Sequence, residues 1–130
     1  MTRKAIPFTL HHLLGYPLAP AAWLCGVRWS EAREVGSLLG IKTVLNELFA
    51  YLQMSQNFKQ NPVYLSPRSA LIATYALCGF ANFASVGIQV GGISTLAPSR
   101  RADLSRLGLL AMLGGGLASL MTAAVMGVLL

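Results

Sequence analysis

Charged side chains are scarce in this sequence. Lys, Arg, Asp and Glu make up 11% of its 130 residues, where a soluble domain carries about a quarter. They are also missing from particular places: none lies between Arg68 and Arg100, and none follows Arg106. Each gap exceeds the roughly 20 residues needed to cross a bilayer. With 55% hydrophobic residues, so small a domain could not enclose all its apolar surface in its own core. A water-soluble globule is thereby excluded, and the bilayer is the expected solvent.

Other shortages narrow the chemistry. The two cysteines, Cys25 and Cys78, lack the CxxC or Cys/His spacing of a metal or redox motif. They are expected to fill apolar space. The two histidines, His11 and His12, are adjacent, and on a helix they point about 100° apart, which makes them poor co-ligands. An interfacial location without metal is expected. There is no HExxH and no acidic pair at catalytic spacing, so an intramembrane enzyme is the weakest functional class. The net charge is +6, but the basic residues flank apolar segments instead of forming one patch. That argues for a juxtamembrane role and against nucleic acid. The opening MTRKAIPFTLHHLLGYPLAP lacks a clean apolar core and a small-x-small cleavage site, so a removed signal peptide is not expected.

What is present predicts an all-α integral membrane chain. Residues 8–27 read as an interfacial helix broken around Pro17 and Pro20, with Tyr16, Trp23 and Trp29 at headgroup level. Glu31 and Glu34 enrich the start of the next helix, where the dipole favours anions. The stretch SQNFKQNPVYLSPRS is a polar loop, with Ser66 placed to cap a helix that starts at Pro67. A second loop, APSRRADLSR, carries Arg100, Arg101 and Arg106, which the positive-inside rule assigns to the cytoplasm. In the final apolar run Ala111, Gly115, Ser119, Ala123 and Gly127 recur every four residues. They make a smooth ridge for close helix packing.

The apolar run that contains GIKTVLNELFAY holds a lysine, an amide and a carboxylate: Lys42, Asn46 and Glu47. On a straight spanning helix each charge would cost about 3 kcal/mol near the bilayer centre. Gly36 and Gly40 also weaken a continuous helix. A re-entrant hairpin that turns near residues 43–47 and lines a wet cavity removes the difficulty. Lys42 is expected to snorkel to the interface. In the next segment Thr74, Cys78, Asn82, Ser85 and Gln89 share one helical face, beside pliable glycines at 79, 87, 91 and 92. Asn82 and Ser85 could serve as interhelical hydrogen-bond glue. Two segments that bring polar groups to similar depth also read as a solute site in broken helices. A carboxylate, an amide and a hydroxyl together suit vicinal hydroxyls, such as those of a sugar or ribose. Phe80 offers a ring face or an apolar wall.

These stretches resemble the concentrative nucleoside transporters. GIKTVLNELFAY looks like that family's G-x-K-x-x-x-N-E-F-V-A-Y signature. SPRSALIATYALCGFANFASVGIQVGGI, LAPSRRADLSRLGLLAMLGGGLASLMTAAVMGVLL and GYPLAPAAWLCGVRW resemble the segments around it. The resemblance implies an interfacial helix at 8–27, a re-entrant helical hairpin at 30–57, a broken transmembrane helix at 67–95 and a final transmembrane helix at 104–130. It implies that Glu47, at the hairpin tip, and Asn82 and Ser85, at the break, bind ribose hydroxyls, and that Phe80 contacts the base. It further implies inward nucleoside transport by alternating access in a bacterial inner membrane, driven by sodium or protons. No cofactor is implied beyond the coupling ion, whose site falls mostly outside this chain. The complete protein would be a homotrimer, and the chain resembles only its C-terminal third, with the N-terminal half missing. A truncated gene, a fragmentary gene boundary and one half of a split carrier all fit that length. Leu48-Phe49 in place of Phe-Val, and Ala84 in place of a common serine, are local departures that bear on specificity. The competing reading is a non-transporting membrane remnant that only packs against other helices.

Overall fold

The computed structural model describes residues 10–130, with side chains from Leu13 onward. The expectation for His11 and His12, and the first residues of the interfacial segment, lie outside that range. Among the described residues the chain is helical, without strands: α1 (Leu10–Leu24), α2 (Trp29–Val44), α3 (Glu47–Gln60), α4 (Pro67–Leu77), α5 (Phe83–Leu96), a 3-10 turn (Pro98–Arg100) and α6 (Arg101–Leu129).

α1 corrects the first expectation. It runs unbroken through Pro17 and Pro20. Each proline removes one backbone donor and crowds the carbonyl four residues before it, yet α1 continues through both, which lie on its exposed side. The opposite side packs against α2. Gly36 corrects a second expectation, because α2 does not weaken there: a Cβ on Gly36 would come within 2.8 Å of the Ala19 backbone nitrogen. The glycine is a contact point between two closely approaching helices, and α2 continues past it and past Gly40 to Val44.

The core lies where α1, α2 and α4 meet the C-terminal half of α6. Val27, Val35, Leu38, Ile72, Leu77 and Ala123 are nearly fully enclosed there. α6 joins through the lower part of its small-residue stripe, where Ser119, Ala123 and Gly127 are buried. Two polar ties fix its end: the Arg68 guanidinium donates to the Gly127 carbonyl at 2.6 Å, and the Cys25 thiol donates to the Leu120 carbonyl at 3.4 Å. α4 starts as its sequence dictates. Ser66 caps it, with Pro67 in the first turn, and the Ser66 amide and hydroxyl donate to the Glu31 carboxylate at 2.8 and 2.9 Å.

The exposed surface of α5 and α6 is largely apolar. α5 buries none of its residues, and Leu107, Leu113, Leu117, Met121 and Val128 of α6 are exposed. The stretch Pro98–Leu129 is long and apolar enough to cross a membrane, with a mean hydropathy of 1.9. Only 11% of its apolar window is buried, so it is not the core helix of a soluble domain. Tyr16, Trp23 and Trp29 are exposed as well. The two indoles meet edge to face at 5.9 Å, and the Arg33 guanidinium sits 5.7 Å from the Tyr16 ring centre.

Candidate functional site

Two chain interruptions build the site. The first separates α2 from α3 at Leu45 and Asn46. Asn46 is extended, and its side chain accepts from the Phe49 amide at 3.1 Å. Asparagine favours this cap position because its side-chain oxygen satisfies one of the four unpaired amides at a helix start. The cap places Glu47 in the first turn of α3, where the helix dipole stabilises its negative charge.

The second interruption separates α4 from α5 at residues 78–82. Gly79 carries it, with φ at +135°, a conformation L side chains rarely adopt. Asn82 then starts α5 in the same way that Asn46 starts α3: its Oδ1 accepts from the Ser85 amide at 2.7 Å. Thr74, Cys78, Asn82, Ser85 and Gln89 therefore do not share one continuous helical face. The register is reset at Gly79, and only Ser85 and Gln89 lie on α5.

The two helix starts meet. The Asn82 Nδ2 donates to Glu47 Oε2 at 3.3 Å. A carboxylate is thus held between two helix N-termini, each of which favours an anion, and it keeps its second oxygen for another donor. Asn82 is fully buried, with its amide oxygen committed to the cap and its nitrogen to Glu47. Ser85 is half-buried and joins through its backbone. Phe80 is 76% exposed. Phe80 and Ser85 line a hollow of about 240 Å³ that is closed on the other side by Met112 and Gly115 of α6. Neither Glu47 nor Asn82 lines that hollow. Glu47 and Asn82 are therefore brought together, while Ser85 reaches them only through its backbone amide and shares its hollow with Phe80.

Lys42 corrects its expectation. It does not snorkel; it is 3% exposed, and its ammonium donates to the Ala76 carbonyl at 2.9 Å. Two further side chains reach the end of α4. The Tyr51 hydroxyl donates to the Thr74 carbonyl at 2.7 Å, and the Ser119 hydroxyl donates to the Cys78 carbonyl at 2.8 Å. Sequence reasoning missed both. The available signal was faint: Ser119 is the one hydroxyl in the small-residue stripe, and Tyr51 ends the signature stretch.

A second polar cleft of about 220 Å³ lies between the far ends of α2 and α3, among Glu34, Ser37, Gln53, Asn57 and Tyr64. Burial pushes the Tyr64 phenol up to about 12; the nearby Glu34 acts in the same sense and a hydrogen bond with Asn57 opposes it. Among the described residues no group of three or more His, Cys, Asp or Glu side chains is placed to hold a metal.

An all-helical apolar segment, with two interrupted helices that meet at a carboxylate and an amide, is the construction of a membrane transporter. The family described as the Na+ dependent nucleoside transporter C-terminus matches residues 2–127, and the chain belongs to that family. It is 50% identical over 119 residues to YutK of Bacillus subtilis, named an uncharacterized transporter, covering 92% of this chain and 28% of that protein. It is 43% identical over 129 residues to sodium/nucleoside cotransporter 1 of Rattus norvegicus, covering 90% of this chain and 20% of that protein. A structure of CNTnw in an inward-facing substrate-bound state matches with a TM-score of 0.82 at 45% identity, over 92% of this chain and 29% of that one. The chain thus spans less than a third of the length of these relatives. They are membrane transporters, not enzymes.

Proposed function

We propose that this chain supplies the ribose-reading part of a cation-coupled nucleoside symporter, working by alternating access as part of a multi-pass carrier in a bacterial inner membrane. α2 and α3 form a re-entrant hairpin, α4 and α5 the two halves of a broken transmembrane helix, and α6 the last span. Glu47 accepts hydrogen bonds from ribose hydroxyls, and Asn82 and Ser85 complete the cradle at the start of α5. Phe80, exposed at the break, meets the base. The coupling ion is sodium or a proton, held mostly by parts of the carrier beyond this chain, and the complete carrier is a homotrimer.

The observation that supports this reading is the Glu47–Asn82 hydrogen bond between two helix starts. A carboxylate at a helix start, tied to one amide and with a free oxygen, is built to receive a hydroxyl, and hydrogen bonds to a charged acceptor contribute about 1.5–3 kcal/mol. The test is radiolabelled uridine uptake by the complete carrier that contains this segment, with Glu47→Gln. The amide keeps the shape and loses the charge. Uptake is expected to fall by about 10- to 100-fold at unchanged expression, and normal uptake would overturn the role of Glu47.

A further inference from the structure

We propose that Lys42 is a positioning residue. Its ammonium clamps the broken end of α4 to α2 and so sets the distance between Glu47 and Asn82. This rests on the reading of that pair as the nucleoside site.

A helix leaves its last four carbonyls without partners, and an interruption in an apolar setting leaves them without water as well. At the end of α4 three of these four carbonyls have partners, two of them side chains of other helices. The Thr74 carbonyl is met by Tyr51 of α3. The Tyr75 carbonyl is met by the Cys78 amide. The Ala76 carbonyl is met by Lys42 of α2. One residue past the helix, the Cys78 carbonyl is met by Ser119 of α6. Lys42 differs from the two hydroxyls in being charged, and charge-assisted hydrogen bonds are roughly twice as strong as neutral ones. Its stem lies along an apolar cavity lined by Leu39, Ala76, Leu113 and Leu117. The Ala76 carbonyl is the acceptor that the buried ammonium reaches, and that bond offsets its desolvation.

The position of this bond gives it leverage. Lys42 lies five residues before Glu47 on the chain, and Ala76 lies six before Asn82. The clamp therefore joins the two segments directly upstream of the two site residues. Cutting it frees the end of α4 relative to the tip of α2 and loosens the alignment that the site needs, while Glu47, Asn82 and Ser85 all remain. Ser119 is a weaker second tie on the same break.

The test uses the complete carrier containing this segment, in proteoliposomes, with uridine and 3′-deoxyuridine as probes. Lys42→Met, which keeps the stem and loses the donor, is expected to raise the uridine KM about tenfold, with the maximal rate changed less than about threefold. The preference for uridine over 3′-deoxyuridine should collapse toward one. Lys42→Arg restores a donor and should recover part of that preference. A Lys42→Met carrier with unchanged KM and unchanged preference overturns the clamp. Where Lys42→Met fails to insert, Ser119→Ala decides: a reduced preference supports the clamp and an unchanged one overturns it. A wild-type carrier that moves uridine without regard to the 3′-hydroxyl sinks the ribose reading instead. The clamp itself is then read from maleimide labelling of Cys78, which is exposed at the break while Cys25 is buried. Labelling should be several-fold faster in Lys42→Met, and an equal rate overturns the proposal.

Discussion

The two interruptions use the same cap and differ in everything around it. Each restarts its helix with an extended asparagine whose side chain accepts from the amide three residues on. At the α4–α5 break the asparagine is fully buried, a glycine takes a positive φ, and side chains from three other helices tie down the carbonyls. At the α2–α3 tip the backbone ties are local, and only Lys42 and Glu47 reach across to the other break. Leu45 bonds back to Ile41, Thr43 bonds back to Leu39, and Leu45, Leu48 and Phe49 stand exposed. One break is a fixed joint, and the other is a looser end held to it through Lys42 and Glu47. A solute site made from both has one wall held from three other helices and one held to it by two side chains.

The largest expected effect comes from Asn82→Asp at the fixed joint. Aspartate keeps the oxygen that caps α5, so the helix start survives. It loses the donor to Glu47 and sets a like charge against it, which forces one of the two carboxylates to take a proton. Nucleoside affinity should fall by about 100-fold while helical content stays at its wild-type level, checked by binding titration and circular dichroism. Retained affinity would show that Glu47 does not depend on its amide partner.

Gly79→Ala tests the backbone of the same joint. A Cβ there is strained at this φ and would stand 2.8 Å from the Ser119 hydroxyl. The expected cost is about 1–3 kcal/mol, seen as a lower melting temperature. Adding Ser119→Ala removes the crowding and leaves the dihedral strain, so the double variant divides the two causes. A double variant as stable as Ser119→Ala alone would mean that the positive φ carries no cost.

How much of this was legible in the sequence follows from the range of the forces involved. The missing charges announced the membrane, and Ser66-Pro67 announced a helix start, because capping acts within a single turn. Glu47 and Asn82 were recognisable as polar groups out of place. Their contact was less so, since it depends on how α2 and α4 pack. Lys42 was misread for the same reason: whether a buried ammonium reaches headgroups or a broken helix end is decided by a partner 34 residues away. The five-residue face through Thr74 and Gln89 failed because a helical register was carried across Gly79. Pro17 and Pro20 were read as breaks, but the packing of α1 along α2 carries the helix through them.

The smallest effect sharpens the contrast most. Asn46→Ala removes the cap at the looser end, at a local cost of about 1 kcal/mol. The Asn46 side chain bonds only within its own turn, to the Phe49 amide, so nothing beyond that turn should respond. Hydrogen exchange at the Phe49 amide should quicken by about fivefold, while the Ser85 amide at the other break keeps its wild-type rate. The melting temperature should move less than for Gly79→Ala. Were both amides to quicken together, the Asn46 cap would support the joint as well as its own turn.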